Sequence, residues 1–116
     1  MDNAIESKSF QFSVRIVRLS RYLYEAKREY VLSRQLLRAG TSIGANVAEA
    51  QQAQSRADFI SKISIALKEA AESKYWIRLL FATEYLTKAE YDSIYCDCME
   101  LEKIPTSIVK SSKSEP

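Results

Sequence analysis

Residues 33–80 read SRQLLRAGTSIGANVAEAQQAQSRADFISKISIALKEAAESKYWIRLL, and they decide the fold. The first half holds both glycines of the chain, Gly40 and Gly44, one helical turn apart among Ala, Ser, Thr, Ile, Asn and Val. Small residues at i and i+4 leave a smooth strip along which another backbone can approach. Each glycine costs ~1 kcal/mol against alanine in a helix interior, so two in one helix point to close packing that offsets the loss. The second half switches to a bulky amphipathic pattern ending in Tyr75, Trp76, Ile77, Leu79, Leu80 and Phe81. A narrow helix meeting a bulky one is the expected core.

Working outward, helices are expected at 9–29, 33–53, 55–83 and 88–111, with a frayed tail at 112–116, in a single domain spanning 1–116. On the first, Phe12, Ile16, Leu19, Leu23, Ala26 and Tyr30 share a sector of about 80° on the helical wheel. Phe10, Val14, Val17 and Tyr24 fall nearly opposite. A helix in one bundle needs a single buried face, so the second stripe reads either as broad burial or, in preference, as an interface with another chain. Ser33 is placed to cap the second helix, Ser55 with Asp58 to open the third, and Thr87 with Glu90 to open the fourth. The third helix is expected to turn Phe59, Ile60, Ile63, Ala66, Leu67, Ala70, Ile77 and Phe81 inward. Ile65, Trp76, Leu79 and Leu80 lie off that stripe, and Trp76 is the candidate interface anchor. The fourth helix buries Tyr91, Ile94, Tyr95, Cys98, Leu101 and Ile108, and Pro105 is expected to kink or end it. Two Gly and two Pro leave little material for turns. Four helices with short connections imply an all-α, antiparallel, up-down-up-down four-helix bundle.

Several function classes recede on composition. The chain has no histidine to titrate near neutral pH or to complete a metal site with Cys96 and Cys98. The glycines lack the strand-turn-helix setting of a phosphate loop. Carboxylate pairs such as Glu69 with Glu72 and Glu100 with Glu102 read as solvated faces. The expectation is a protein that is not an enzyme and takes no cofactor, metal or small-molecule substrate. No run approaches a membrane span, and the polar start MDNAIESKSF lacks a secretion-signal layout, so a cytoplasmic setting is expected.

Charge is unevenly placed although the net is only +2. Lys8 to Arg38 carries eight basic against two acidic residues, a surplus of six, and six of the eight are Arg. From Ala82 onward there are four basic and seven acidic residues, a deficit of three. Arginine presents a planar fork suited to phosphate, which makes Arg15, Arg18, Arg34 and Arg38 the candidate nucleic-acid contacts. The alternative has them solvated or paired with acids on the fourth helix of an adjacent subunit. Arg38, Ser42, Asn46 and Glu49 form a polar stripe that reads as a binding groove or, in preference, as a ladder paired to charges such as Glu69, Glu72 or Lys68.

LLRAGTSIGANVAEA followed by QSRADFISKISIALKEAAESKYWIRLL resembles the four-helix-bundle family first noted as products of intervening sequences in bacterial 23S ribosomal RNA genes. Accessory proteins of diversity-generating retroelements share that fold group. The likeness covers roughly residues 8–111. It implies a ring-like homo-oligomer, a pentamer, with basic surfaces, and for the retroelement members binding of RNA or DNA and of a reverse transcriptase. The chain departs from the family's pattern at Pro105, where an aliphatic residue is usual, and at Ala48, which replaces the first acid of a common pair. Joined to the residue reading, this gives an oligomeric, sequence-tolerant nucleic-acid-binding accessory protein, with Phe10, Val14, Val17, Tyr24 and Trp76 as its assembly contacts. The competing expectation is a structural module that binds a protein partner through the acidic fourth helix.

Overall fold

Four helices make up the computed structural model, which describes residues 4–114, with side chains through 111. They are α1 (Ala4–Glu25), α2 (Leu32–Ala50), α3 (Arg56–Ala82) and α4 (Lys88–Ser114), and no strand occurs among the described residues. Each helix packs on its sequence neighbour, and α1 also touches α4. The result is a rod of 50 × 21 × 21 Å.

The buried positions share one rhythm. On α3 they are Ile63, Ala66, Ala70, Ser73, Ile77 and Leu80, and on α4 Ile94, Cys98, Leu101 and Pro105, steps of three and four residues in alternation. That is a heptad, 3.5 residues per turn, which drifts from a 3.6-residue wheel by about 20° per heptad. The drift accounts for one correction. Leu80, placed off the inward stripe by the wheel, is fully buried, while Phe81 is only half-buried. Ile65 is exposed, as the pattern implies. Ser73 sits in the seam with its hydroxyl donating to the Glu69 carbonyl at 2.8 Å, so no polar atom is stranded.

The helix ends hold further corrections. α1 starts earlier than expected because Ile5 and Ser9 are buried in the same seam. It stops at Glu25, and the chain turns out through Arg28, whose φ of 55° lies in the left-handed region. Ala26 and Tyr30 therefore leave the core, and Tyr30 is 46% exposed. Ser33 does not cap α2, because the helix has already begun at Leu32. The cap comes from Glu29, whose carboxylate accepts from the Val31 and Ser33 amides at 3.2 and 2.7 Å, while the Ser33 hydroxyl donates to the Glu29 carbonyl. α2 ends at Ala50 rather than 53.

Ser55 caps α3 as expected, accepting from the Asp58 amide at 3.0 Å, although Asp58 returns its carboxylate to Gln54 rather than to Ser55. At its far end the Tyr85 amide reaches the Leu80 carbonyl across a left-handed Glu84 (φ 71°), a Schellman closure made without glycine. Thr87 and Glu90 exchange both bonds of a capping box. α4 then runs through Pro105 to Ser114 without ending. Pro105 falls on the heptad seam and is fully buried, with Ile104, Ile108 and Val109 packed on the core around it. Thr106 adds a side-chain bond to the Glu102 carbonyl at 2.7 Å. Burial of this segment against the core offsets the hydrogen bond that the proline removes. Residues 112–114 of the expected tail are helical, and 115–116 lie outside the described residues.

Candidate nucleic-acid interface

The basic hairpin of α1 and α2 divides into two parts. Part of the positive charge is neutralised within the chain. Lys8 pairs with Glu100 at 2.7 Å. Arg15 pairs with Asp97 and donates to the Ser93 hydroxyl at 3.0 Å. Arg38 reaches Glu69 at 3.3 Å and also Glu72. Glu72 accepts from the Trp76 indole as well, at 2.9 Å. Two acids of the fourth helix, Asp97 and Glu100, thus meet cations on α1 of the same chain.

The ladder expected along α2 is present. Arg38 holds Glu69 and Glu72, Glu49 pairs with Lys62 at 3.0 Å, and the Asn46 amide donates to the Ser42 carbonyl at 2.8 Å. The bond to Glu49, and then its charge, raise the Lys62 pKa. Lys74 is raised likewise by its bond to Glu102.

The rest of the charge is left over, and apart from Arg18 it sits near the α1–α2 turn. Among the described residues, Arg18, Arg21, Arg28 and Arg34 are in no ion pair, and Lys27 lies 5.9 Å from the centre of the Tyr22 ring. Glu29, one of the two acids here, is buried and occupied with capping α2. Of the four arginines singled out in the sequence, the structure leaves Arg18 and Arg34 with the free group and ties Arg15 and Arg38 to carboxylates.

Beside these arginines α1 exposes apolar surface. Phe10 is 69% exposed, Val17 and Tyr24 are exposed, and Val14 is half-buried. Phe10, Val14 and Val17 border a shallow hollow of about 340 Å³ together with Arg18 and Arg21. Trp76 lies apart on α3, half-buried against the core and edge-on to Tyr75. A second cleft of about 360 Å³ opens between α1 and α2, lined by Val17, Arg21, Tyr24, Tyr30, Arg34 and Leu37 among others. Sequence reasoning missed Arg21 and Tyr30 there. The signal for Tyr30 was the end of α1, because a residue past the last turn no longer follows the helical wheel.

No cluster of three or more Cys, Asp or Glu suited to a metal occurs among the described residues. Burial pushes the Cys98 thiol up to about 12, and its Sγ sits 3.3 Å from the Ala70 carbonyl, which makes it a packing group. Cys96 is exposed. No helix among the described residues is long and apolar enough to cross a membrane.

The profile of the 23S rRNA-intervening sequence protein family matches residues 1–107. The chain belongs to that family. A crystal structure of a protein of unknown function from the S23 ribosomal protein family of Bacteroides thetaiotaomicron VPI-5482 is 55% identical to this intervening-sequence protein. The match covers 91% of this chain and 98% of that one, with a TM-score of 0.90. No curated protein matches.

Proposed function

We propose that this intervening-sequence protein is a non-enzymatic, cytoplasmic accessory protein that assembles into a ring of identical subunits and binds nucleic acid through backbone charge. In this reading the four helices run up-down-up-down. Cross-helix partners in reversed order support that: Ile16 meets Gly40 while Ser13 meets Gly44, and Arg38 pairs with Glu69 and Glu72 while Glu49 pairs with Lys62. Exposed Phe10 and Val17 with half-buried Val14 supply the assembly face.

The observation that carries the nucleic-acid reading is the unpaired group Arg18, Arg21, Arg28 and Arg34 along the α1–α2 hairpin. One subunit with so few free cations binds weakly, and a ring repeats the patch and multiplies the contacts. The acidic α4 is a poorer docking face for a protein partner, because Asp92, Asp97, Glu100 and Glu102 all have lysine or arginine partners in the chain.

The test is fluorescence anisotropy of a structured RNA and a DNA duplex, titrated at low and physiological salt. Binding should weaken steeply with salt. Changing Arg18, Arg21, Arg28 and Arg34 together to Gln should abolish it, and changing Arg15 and Arg38 should matter little. A flat signal at micromolar protein and low salt would end the reading.

A further inference from the structure

The cleft between the end of α1 and the start of α2 has a composition that plain solubility does not explain. Tyr24 and Tyr30 meet there with ring centres 4.6 Å apart and planes tilted by 60°, and they stay 52% and 46% exposed. Val17 and Leu37 add apolar surface to the lining, and Arg21 and Arg34 line the same cleft. Neither arginine has an ion pair or side-chain hydrogen bond among the described residues. Glu25 also lines it, the one carboxylate present.

We infer that this cleft takes the unstacked bases of a single-stranded nucleic acid, with Tyr24 and Tyr30 as the stacking surface and Arg21 and Arg34 on the flanking phosphates. The inference rests on the nucleic-acid reading above and narrows it from any polyanion to single strands. The argument is one of complementary chemistry. A duplex offers its phosphates but keeps its ring faces stacked inside, so it leaves the exposed tyrosines without a use. A single strand offers both at once, and every base has a face to stack, which suits sequence-tolerant binding. About 360 Å³ is room enough for a base and its sugar. Glu25 at the margin can accept from an exocyclic amine, which favours adenine, cytosine or guanine over uracil and thymine at that spot. Tyr24 and Val17 are thereby reassigned from the assembly face to the cleft, where the structure pairs Tyr24 with Tyr30.

The experiment uses fluorescein-labelled oligothymidylate, oligouridylate, oligoadenylate and oligodeoxyadenylate of about twelve nucleotides, with a mixed-sequence DNA duplex of similar length. The full chain is titrated into each at low salt, and light scattering follows its assembly. Single strands should bind roughly tenfold or more tightly than duplex. Tyr24→Ala with Tyr30→Ala should erase that preference and leave the weak duplex binding in place, while Tyr24→Phe with Tyr30→Phe keeps it. Arg21→Gln with Arg34→Gln should lower the salt slope by about 1.4, the value for two single-strand phosphates. Comparing oligoadenylate with oligodeoxyadenylate, which differ only in the 2′-hydroxyl, separates RNA from DNA as the source. Equal binding of duplex and single strands overturns the inference while the nucleic-acid reading stands. So does undiminished single-strand binding by the Tyr→Ala pair. Loss of assembly in that pair would make the cleft a contact between copies and overturn it too. No binding of any probe removes both readings.

Discussion

The α1–α2 seam and the α3–α4 seam hold the same rod together by opposite means. Along α1–α2 the contact is made by what is missing. A Cβ placed on Gly40 would lie 2.8 and 2.9 Å from the two γ carbons of Ile16, and one on Gly44 would lie 3.0 Å from the Ser13 hydroxyl and 3.3 Å from the Ser9 carbonyl. Ser9, Ser13 and Ser20 fill the remaining space with small hydroxyls bonded to nearby carbonyls. Along α3–α4 the contact is made by bulk, with Phe81 stacked on Tyr91 at 4.3 Å and Lys74 paired with Glu102. A close seam fails when atoms are added, and a filled seam fails when atoms are removed.

The largest expected effect tests the close seam from its bulky side. Ile16→Ala should cost about 2–5 kcal/mol in a denaturant titration. In a Gly40→Ala background the cost should fall, because the new methyl enters the space that Ile16 vacated; strict additivity would break the account. Gly40→Ala alone should lose roughly 1–2 kcal/mol, since overpacking outweighs the helix propensity gained. Gly44→Ala should lose less, because the Ser13 hydroxyl can rotate aside.

The filled seam has a pH signature. The Cys98 thiol is held neutral by burial and raised from 9.0 to about 12, so the unfolded chain gives up its proton first. Stability from this group is whole below pH 9 and drains towards pH 12 at about 1.4 kcal/mol per unit. Cys98→Ala should flatten that part of the urea-midpoint profile against pH. Next in size, Phe81→Leu should cost about 0.5–1.5 kcal/mol from the lost stack, measured by thermal unfolding. Arg38→Gln, at a half-exposed pair, should cost less than ~1 kcal/mol and shrink further in high salt.

Four helices, their capping boxes and the narrow character of α2 were legible because each rests on local chemistry: spacing, small residues, a Ser or Thr before an acid. What escaped was set by partners far along the chain. Leu80 was misplaced since the supercoil period, a property of helices packed together, differs from that of one helix alone. Ser33 was misread because Glu29 reaches forward to take the cap. Pro105 was expected to kink or end α4, and the helix goes on because this segment is buried against the core. At the candidate site, the basic surplus was visible in sequence, but which arginines remain available depends on Asp97, Glu69 and Glu72, on other helices.

The Glu29 clamp has a consequence for binding. Three hydrogen bonds join Glu29 to Val31 and Ser33 across the turn between α1 and α2. The backbone that presents Arg28 and Tyr30 has therefore already surrendered its conformational freedom during folding. A ligand arriving there would not have to order a loop, so less entropy would be lost on contact.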